Sequence, residues 1–335
     1  MPNKPLALTM GDPAGCSPQI SAGVWAQSRS APETPFFVIA DPVIFDGLCP
    51  VNTISHPDDC ADAFGEALPV LPLHAPLSHK PVPGQADKAF APAIIASIER
   101  AVHLALSGKV AAIVTNPISK AVLYSAGFKH PGHTEFIAEL CTKQGGSSGA
   151  PVMMLVGGGL RVALATIHIP LLQVASALTT ERLIETATIT AVALQRDFGL
   201  TKPRLAFTGL NPHAGEGGAI GREEIETINP AAQALRNQGV DITDARPADT
   251  VFHEALSGRY DAVIAMTHDQ GLIPVKTLDM WGGVNTTLGL PIIRTSPDHG
   301  TAYDAAVGGT CRADSLRAAI KLASAMATNR ARADV

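Results

Sequence analysis

Absences set the first limits on this chain. It has no C-x-x-C pair, no run of Lys or Arg, no G-x-x-x-x-G-K-[ST] phosphate loop and no apolar stretch approaching bilayer length. The cysteines, Cys16, Cys49, Cys60, Cys141 and Cys311, are odd in number and widely spaced. That excludes a close-spaced zinc or thiol-exchange motif and fits reduced thiols in a cytoplasmic protein. With 25 basic residues against 30 acidic ones the net charge is −5, and no basic footprint for nucleic acid is visible. The opening "MPNKPLALTM" is too short in its apolar run for a signal peptide. No membrane or nucleic-acid partner is expected; small molecules are.

What is present is core-forming material: 335 residues, 46% hydrophobic. Short apolar runs, "LALTM", "FFVIA", "VAAIVT", "RLAFTGL" and "DAVIAMT", each closed by Gly, Pro or Asp, predict buried strands. Between them "KAFAPAIIASIERAVHLALSG" and "ERLIETATITAVALQRDFG" carry apolar residues at helical spacing and end at glycine. The alternation predicts an α/β fold, a mainly parallel sheet with helices on both faces. "PVMMLVGGGLRVALATIHIP" differs, because its glycines suit the positive φ angles of a tight hairpin, and an antiparallel pair is expected there.

Three predicted strands end at a histidine: His168 in "ALATIHIP", His213 in "FTGLNPHAGEGG" and His268 in "VIAMTHDQG". Ligands of open α/β sheets bind outside the carboxyl ends of strands, and neutral imidazoles suit a divalent metal with an open coordination position. For any one histidine alone, a satisfied structural role is the commoner reading. Asp269 and Asp249 either orient an imidazole, accept a proton, or, for Asp249 before "TVFHEALSG", cap a helix. His133 and Thr134 open the helical run "TEFIAELCTK", where free N–H groups and the dipole attract an anion; an ordinary Thr cap is the alternative. Lys276, Asn285 and Arg294 lie in apolar surroundings, where a cation needs an anionic partner from the protein or a ligand. "GLNPHAGEGG" fits neither G-x-x-x-x-G-K-[ST] nor G-x-G-x-x-G, and reads as a ligand-bearing turn around His213, with a helix over "REEIETINPAAQALRNQG" starting after it.

The motifs "GDPAG", "TNPISK", "GHTEF", "GLNPHAGEGG", "THDQG", "GVNTTLGLPIIRTS" and "DHGTAYD", spread from about residue 6 to residue 325, resemble the 4-hydroxythreonine-4-phosphate dehydrogenase family of vitamin B6 biosynthesis. The resemblance implies a three-layer α/β/α fold like isocitrate and isopropylmalate dehydrogenases, with two lobes split near 1–128 plus 268–335 and 129–267. It also implies an interlobe cleft and a homodimer with the active site at the interface. His168 and His213 would hold a divalent metal (Zn, Mg or Co) together with His268 of the partner subunit. His133, Thr134, Lys276, Asn285 and Arg294 match substrate-binding positions. NAD, or NADP, would oxidise C3 of 4-phosphooxy-L-threonine, and loss of CO2 would give 3-amino-2-oxopropyl phosphate. Lys276 and Asp249 are then candidates for proton traffic, and the segment bearing His299, Gly300, Thr301 and Asp304 for dinucleotide binding. Within the same framework the runner-up substrates are four-carbon sugar-acid phosphates such as threonate or erythronate 4-phosphate. A metal-dependent hydrolase or lyase, and a non-catalytic metabolite-binding protein, are the readings of another class. The chain departs from the family at "GDPAGCSPQ", with Ser17 for Gly and Gln19 for a carboxylate, and at "DAAVGG", with Val307 for Gly and Gly308 for Lys. Those changes bear on cofactor binding.

Overall fold

The structure is a computed structural model describing residues 4–30, 34–130, 132–146 and 150–333. Among these, twelve strands follow in chain order: β1 (Leu6–Thr9), β2 (Phe36–Ala40), β3 (Val51–Thr53), β4 (Leu68–Pro72), β5 (Ala112–Val114), β6 (Val152–Gly157), β7 (Leu160–Leu164), β8 (Arg204–Phe207), β9 (Asp241–Ile242), β10 (Ala262–Ala265), β11 (Val284–Leu288) and β12 (Arg294–Pro297). The α/β class expected from the apolar runs is the one the chain adopts.

The chain divides into two compact units, Met1–Ser148 with Leu290–Ala327 and Gly149–Gly289 with Thr328–Val335. Both boundaries fall later than the split expected at 128 and 268. Helix His133–Lys143 packs on helix Ala91–Leu106 and belongs with the first unit, while β11 pairs with β6 and belongs with the second.

In the first unit the strand order is β3-β4-β2-β1-β5-β12, and every pair is parallel. β1, β2 and β5 are buried along their whole length, as a sheet covered on both faces requires. Helix Ala91–Leu106 lies on β1, β2 and β5. It buries Ile94, Ile98, Ala101 and Val102, the i, i+4, i+7, i+8 stripe of a core-facing helix. Extended back to Lys88, this helix is long and apolar enough to cross a bilayer by length and composition, contrary to the expectation that no segment would be. Its apolarity is spent on the sheet.

In the second unit the order is β11-β6-β7-β10-β8-β9. β6 runs antiparallel to both its neighbours, β11 and β7, and the remaining pairs are parallel. The β6–β7 hairpin turns at Gly158 and Gly159, both at positive φ (58° and 85°), as a two-residue loop of matching twist demands. Alternate residues of these strands enter two different cores. Met154 and Ala163 join Leu183 and Ala187 of helix Thr180–Arg196, whereas Leu155, Val162 and Leu164 join Leu272 and Val275 of helix His268–Leu278. The helices therefore cover opposite faces, which makes three layers.

Candidate active site

The neighbouring parallel strands β7, β10 and β8 run in one direction, so their carboxyl ends share one edge of the second unit's sheet. His168 follows β7, His213 follows β8 and His268 follows β10; all three predicted histidines therefore stand at that edge. The rings of His168 and His268 approach to 5.6 Å between centroids. His268 opens helix His268–Leu278 behind a capping box in which Thr267 and Gln270 satisfy each other's backbone N–H groups. Its Nδ1 lies 2.9 Å from Asp269 Oδ1, and His213 Nδ1 lies 3.0 Å from Glu216 Oε2. A carboxylate on Nδ1 aims Nε2 outward and makes it a better electron donor, the usual second layer of a metal-binding imidazole. Among the described residues of one chain, no three His, Cys, Asp or Glu side chains gather as a metal site.

The segment Pro212–Gly218 is the least ordinary piece of backbone. His213, Ala214, Gly215, Glu216 and Gly217 all sit in the left-handed region, with φ between 44° and 79°. For L residues this costs about 1–2 kcal/mol each, so something must hold them there. Buried Glu224 does so: its Oε1 accepts from Asn211 N (2.8 Å) and its Oε2 from Asn211 Nδ2 (2.9 Å). A Cβ on Gly215 would lie 2.6 Å from Glu224 Oε2, so the turn also needs that glycine. The helix expected after the turn forms as a π turn over Glu224–Ile228 followed by Asn229–Asn237. Gln270 ties two of the histidine loops together, its Oε1 accepting from Thr208 Oγ1 (3.1 Å) and Met266 N (3.1 Å) while its Nε2 donates to Gly209 O (2.9 Å). Sequence reasoning passed over Glu224 and Gln270; the only signal was Gln270's place in "THDQG".

Lys276 lies two turns along the helix that His268 opens, half-buried, and Asn285 lies in β11 opposite Leu155. Asp249 is exposed. It does not cap the following helix, whose N-cap is Thr250, and the Thr250 hydroxyl donates to Pro247 O (3.3 Å) and does not cap the helix.

The other predicted residues belong to the first unit. Arg294 starts β12 and is 3% exposed. Its Nε and Nη2 donate to Thr115 Oγ1 at 3.0 and 2.8 Å. Burial pulls the guanidinium down to about 10, against the opposing pull of Glu135. His133 begins helix His133–Lys143, with Thr134 next to it. Its Nε2 is shut from solvent and has no hydrogen-bond partner among the described residues. Burial, and then the charges of Arg294 and Lys120, hold this imidazole well below the ordinary histidine range.

The segment bearing His299, Gly300, Thr301 and Asp304 is wired to the "GDPAG" loop. Thr301 O accepts from Cys16 N (2.8 Å), and Tyr303 donates its hydroxyl to Asp12 Oδ2 (2.7 Å). A Cβ on Gly15 would lie 2.7 Å from Thr301 O, so the close approach requires glycine. Burial raises the Asp12 carboxyl, and pushes the Tyr303 phenol up to about 12. The family departures are accommodated here. Ser17 opens the right-handed helix Ser17–Ser28, where no positive φ is needed, and donates to Pro117 O (3.3 Å). Gln19 Nε2 donates to Ala306 O (2.8 Å), and Val307 fills the space against Gly84, where a Cβ would come within 2.3 Å of it.

Known proteins carry the same pattern. The family model described as "Pyridoxal phosphate biosynthetic protein PdxA" matches residues 34–323. The 4-hydroxythreonine-4-phosphate dehydrogenase of Caulobacter vibrioides is 52% identical over 335 residues, 98% of this chain and 99% of that one. Its namesake from Maricaulis maris is 50% identical over 336 residues, 98% of each. The crystal structure of the 4-hydroxythreonine-4-phosphate dehydrogenase from Klebsiella pneumoniae superposes with a TM-score of 0.85 at 37% identity, covering 97% of this chain and all of that one (100%). Alike in motifs, fold and nearly full-length sequence, the chain belongs to the family of pyridoxal phosphate biosynthetic protein PdxA.

Proposed function

We propose that this protein is a 4-hydroxythreonine-4-phosphate dehydrogenase, which oxidises the C3 hydroxyl of 4-phosphooxy-L-threonine with NAD or NADP and releases CO2 to give 3-amino-2-oxopropyl phosphate. The observation that carries the reading is identity of about half the residues, over almost the whole length, to relatives bearing that name. The chemistry is coherent: oxidation at C3 places a ketone β to the carboxylate, and a β-keto acid loses CO2 readily.

The donor set fits a divalent cation, since two of the three imidazoles already have a carboxylate on Nδ1. His168 and His213, with the partner subunit's His268, would hold it. When bound, such an ion stabilises negative charge developing on the substrate oxygen. The nicotinamide supplies the hydride acceptor, with the segment from His299 to Asp304 as its proposed binding region. The chain's own side chains do the rest. Arg294, Thr134 and the dry Nε2 of His133 bind and orient the anionic end of the substrate, and Asn285 and Lys276 are its further proposed binding residues. Lys276 or Asp249 delivers the proton that replaces the lost carboxylate.

A homodimer is part of the proposal. Large apolar side chains stand exposed on the helix Leu171–Ala177 that follows His168 and on and beyond the helix His268 opens: Leu171 at 77%, Leu172 at 98%, Ile273 at 63% and Trp281 at 53%. Apolar surface of that kind beside candidate ligands suits a second copy better than water.

The test is NADH formation from 4-phosphooxy-L-threonine after chelation and after restoring a divalent metal, with His213→Ala beside the wild type. Turnover that needs metal and disappears in the variant is expected. No NADH from metal-replete wild type overturns the substrate and cofactor assignment.

A further inference from the structure

We propose that Lys120 is a further substrate-binding residue, closing with His133 and Arg294 on the phosphate group; this rests on the phosphorylated substrate proposed above. The segment that carries Lys120 is held in place from several sides. Asn116 Nδ2 donates to Thr9 O and Ser21 Oγ, both at 2.9 Å, while Asn116 N donates to Thr9 Oγ1 (3.1 Å). Pro117 O accepts from Asp12 N (2.8 Å), and Ser119 caps the short helix Lys120–Ser125. Lys120 is therefore presented by a fixed stem even though its own side chain is exposed.

The ammonium is presented to the start of helix His133–Lys143. A Cβ built on Gly132 would lie 2.7 Å from Glu135 Oε2 and 3.6 Å from Lys120 Nζ, so glycine leaves room for both side chains to reach the helix end. Gly132 is the N-cap and offers no side chain to the free N–H groups of the first turn. His133 Nε2 is the second, independent sign of a ligand, being a buried polar atom that no group among the described residues satisfies. Arg294 and Lys120 both act electrostatically on that imidazole, and among the described residues no carboxylate lies within ion-pair distance of Lys120. Two cations, an uncapped helix terminus and an unsatisfied imidazole all favour the same occupant. Glu135 offsets one of the two cations, and a phosphate dianion supplies further negative charge together with acceptors for the imidazole and the helix end.

The experiment titrates inorganic phosphate into the full-length wild type, Lys120→Met and Lys120→Arg by calorimetry at fixed ionic strength. KM and kcat for 4-phosphooxy-L-threonine, and thermal melting, are measured on the same samples. Loss of one charge-assisted contact predicts about tenfold weaker phosphate binding in Lys120→Met, with a similar rise in KM, a kcat changed less than about twofold and an unaltered melt. Lys120→Arg restores most of the affinity. Equal phosphate affinity in Lys120→Met and wild type, an Arg variant as weak as the Met variant, or no phosphate binding by wild type overturns the proposal. Lys120-dependent phosphate binding without any NADH formation leaves it standing while the dehydrogenase reading falls. NADH formation with phosphate affinity indifferent to Lys120 does the reverse.

Discussion

The left-handed turn around His213 makes a prediction whose sign is opposite to ordinary experience. Comparing His213→Gly with His213→Ala removes the same imidazole and the same exposed contact to Glu216, so only the Cβ differs. At φ 53° that Cβ costs about 1–2 kcal/mol, which glycine avoids. Glycine loses about 0.4–1 kcal/mol of this through the greater freedom of its unfolded chain. The balance leaves the Gly variant more stable than the Ala variant by about 0.5–1 kcal/mol. In an ordinary helical position glycine would instead be the less stable by a similar amount. Urea denaturation midpoints at constant m, supported by melting temperatures separated by about 2–4 °C per kcal/mol, read this difference. Both variants are expected to lose metal-dependent turnover, so the more stable protein is also an inactive one. An Ala variant as stable as the Gly variant, or more so, refutes the claim that the turn stores strain.

Other outcomes follow from groups described here and nearby. Asp197, 2% exposed, binds Arg330 (Nε–Oδ1 2.7 Å) and Arg196 (Nε–Oδ1 2.9 Å), tying the end of helix Asp314–Ala333 to helix Thr180–Arg196. Asp197→Asn should cost about 2–3 kcal/mol, below the full cost of breaking a buried pair because Arg196 is partly solvated, as checked by the urea midpoint. Burial pushes this carboxyl up, but the hydrogen bonds and charges of Arg330 and Arg196 outweigh burial and hold it below its ordinary value. Its stabilisation is therefore present above about pH 4 and lost as pH falls through the lower folded value, so the Asn variant should flatten the acid limb of stability. His133 is lowered, so the unfolded chain binds a proton there that the folded chain refuses. Stability from this group is complete above about pH 6.5 and declines as pH falls from there, and His133→Asn should remove up to one proton from that slope. Thr115→Val, which takes away the acceptor shared by Arg294 Nε and Nη2, should raise KM more than it lowers kcat; unchanged kinetics would mean that Arg294 needs no such support.

Much of the fold could be read from local pattern because its causes are local. The stripe of Ile94, Ile98, Ala101 and Val102 and the glycines at 158 and 159 act within one element, and the helix and the hairpin followed. The unit boundary could not be read that way. It depends on β12 pairing with β5 and β11 pairing with β6, contacts between residues far apart in sequence. At the site, strand-ending histidines were visible because strands end at recognisable residues. The brace under His213 was not: nothing in "REEIE" marks Glu224 as the buried carboxylate that, with its neighbour Glu223, holds a distant asparagine. Likewise a lysine in "TNPISK" has no signature until the chain brings it beside Gly132.

The outermost strands bear on how the protein behaves at high concentration. β3, at one end of the first unit's strand order, and β9, at one end of the second unit's, are only three and two residues long, and Asn52, Thr53 and Asp241 on them are exposed and polar. So short a row of free N–H and C=O groups, carrying a charge at one end, is a poor template for another molecule's strand. The long, fully buried runs of β2 and β10, which would zip readily with copies of themselves, are kept inside the order. Crowding in the cell should therefore favour the native fold over intermolecular β-sheet, and a fibril would have to begin from a chain that has already lost those central strands.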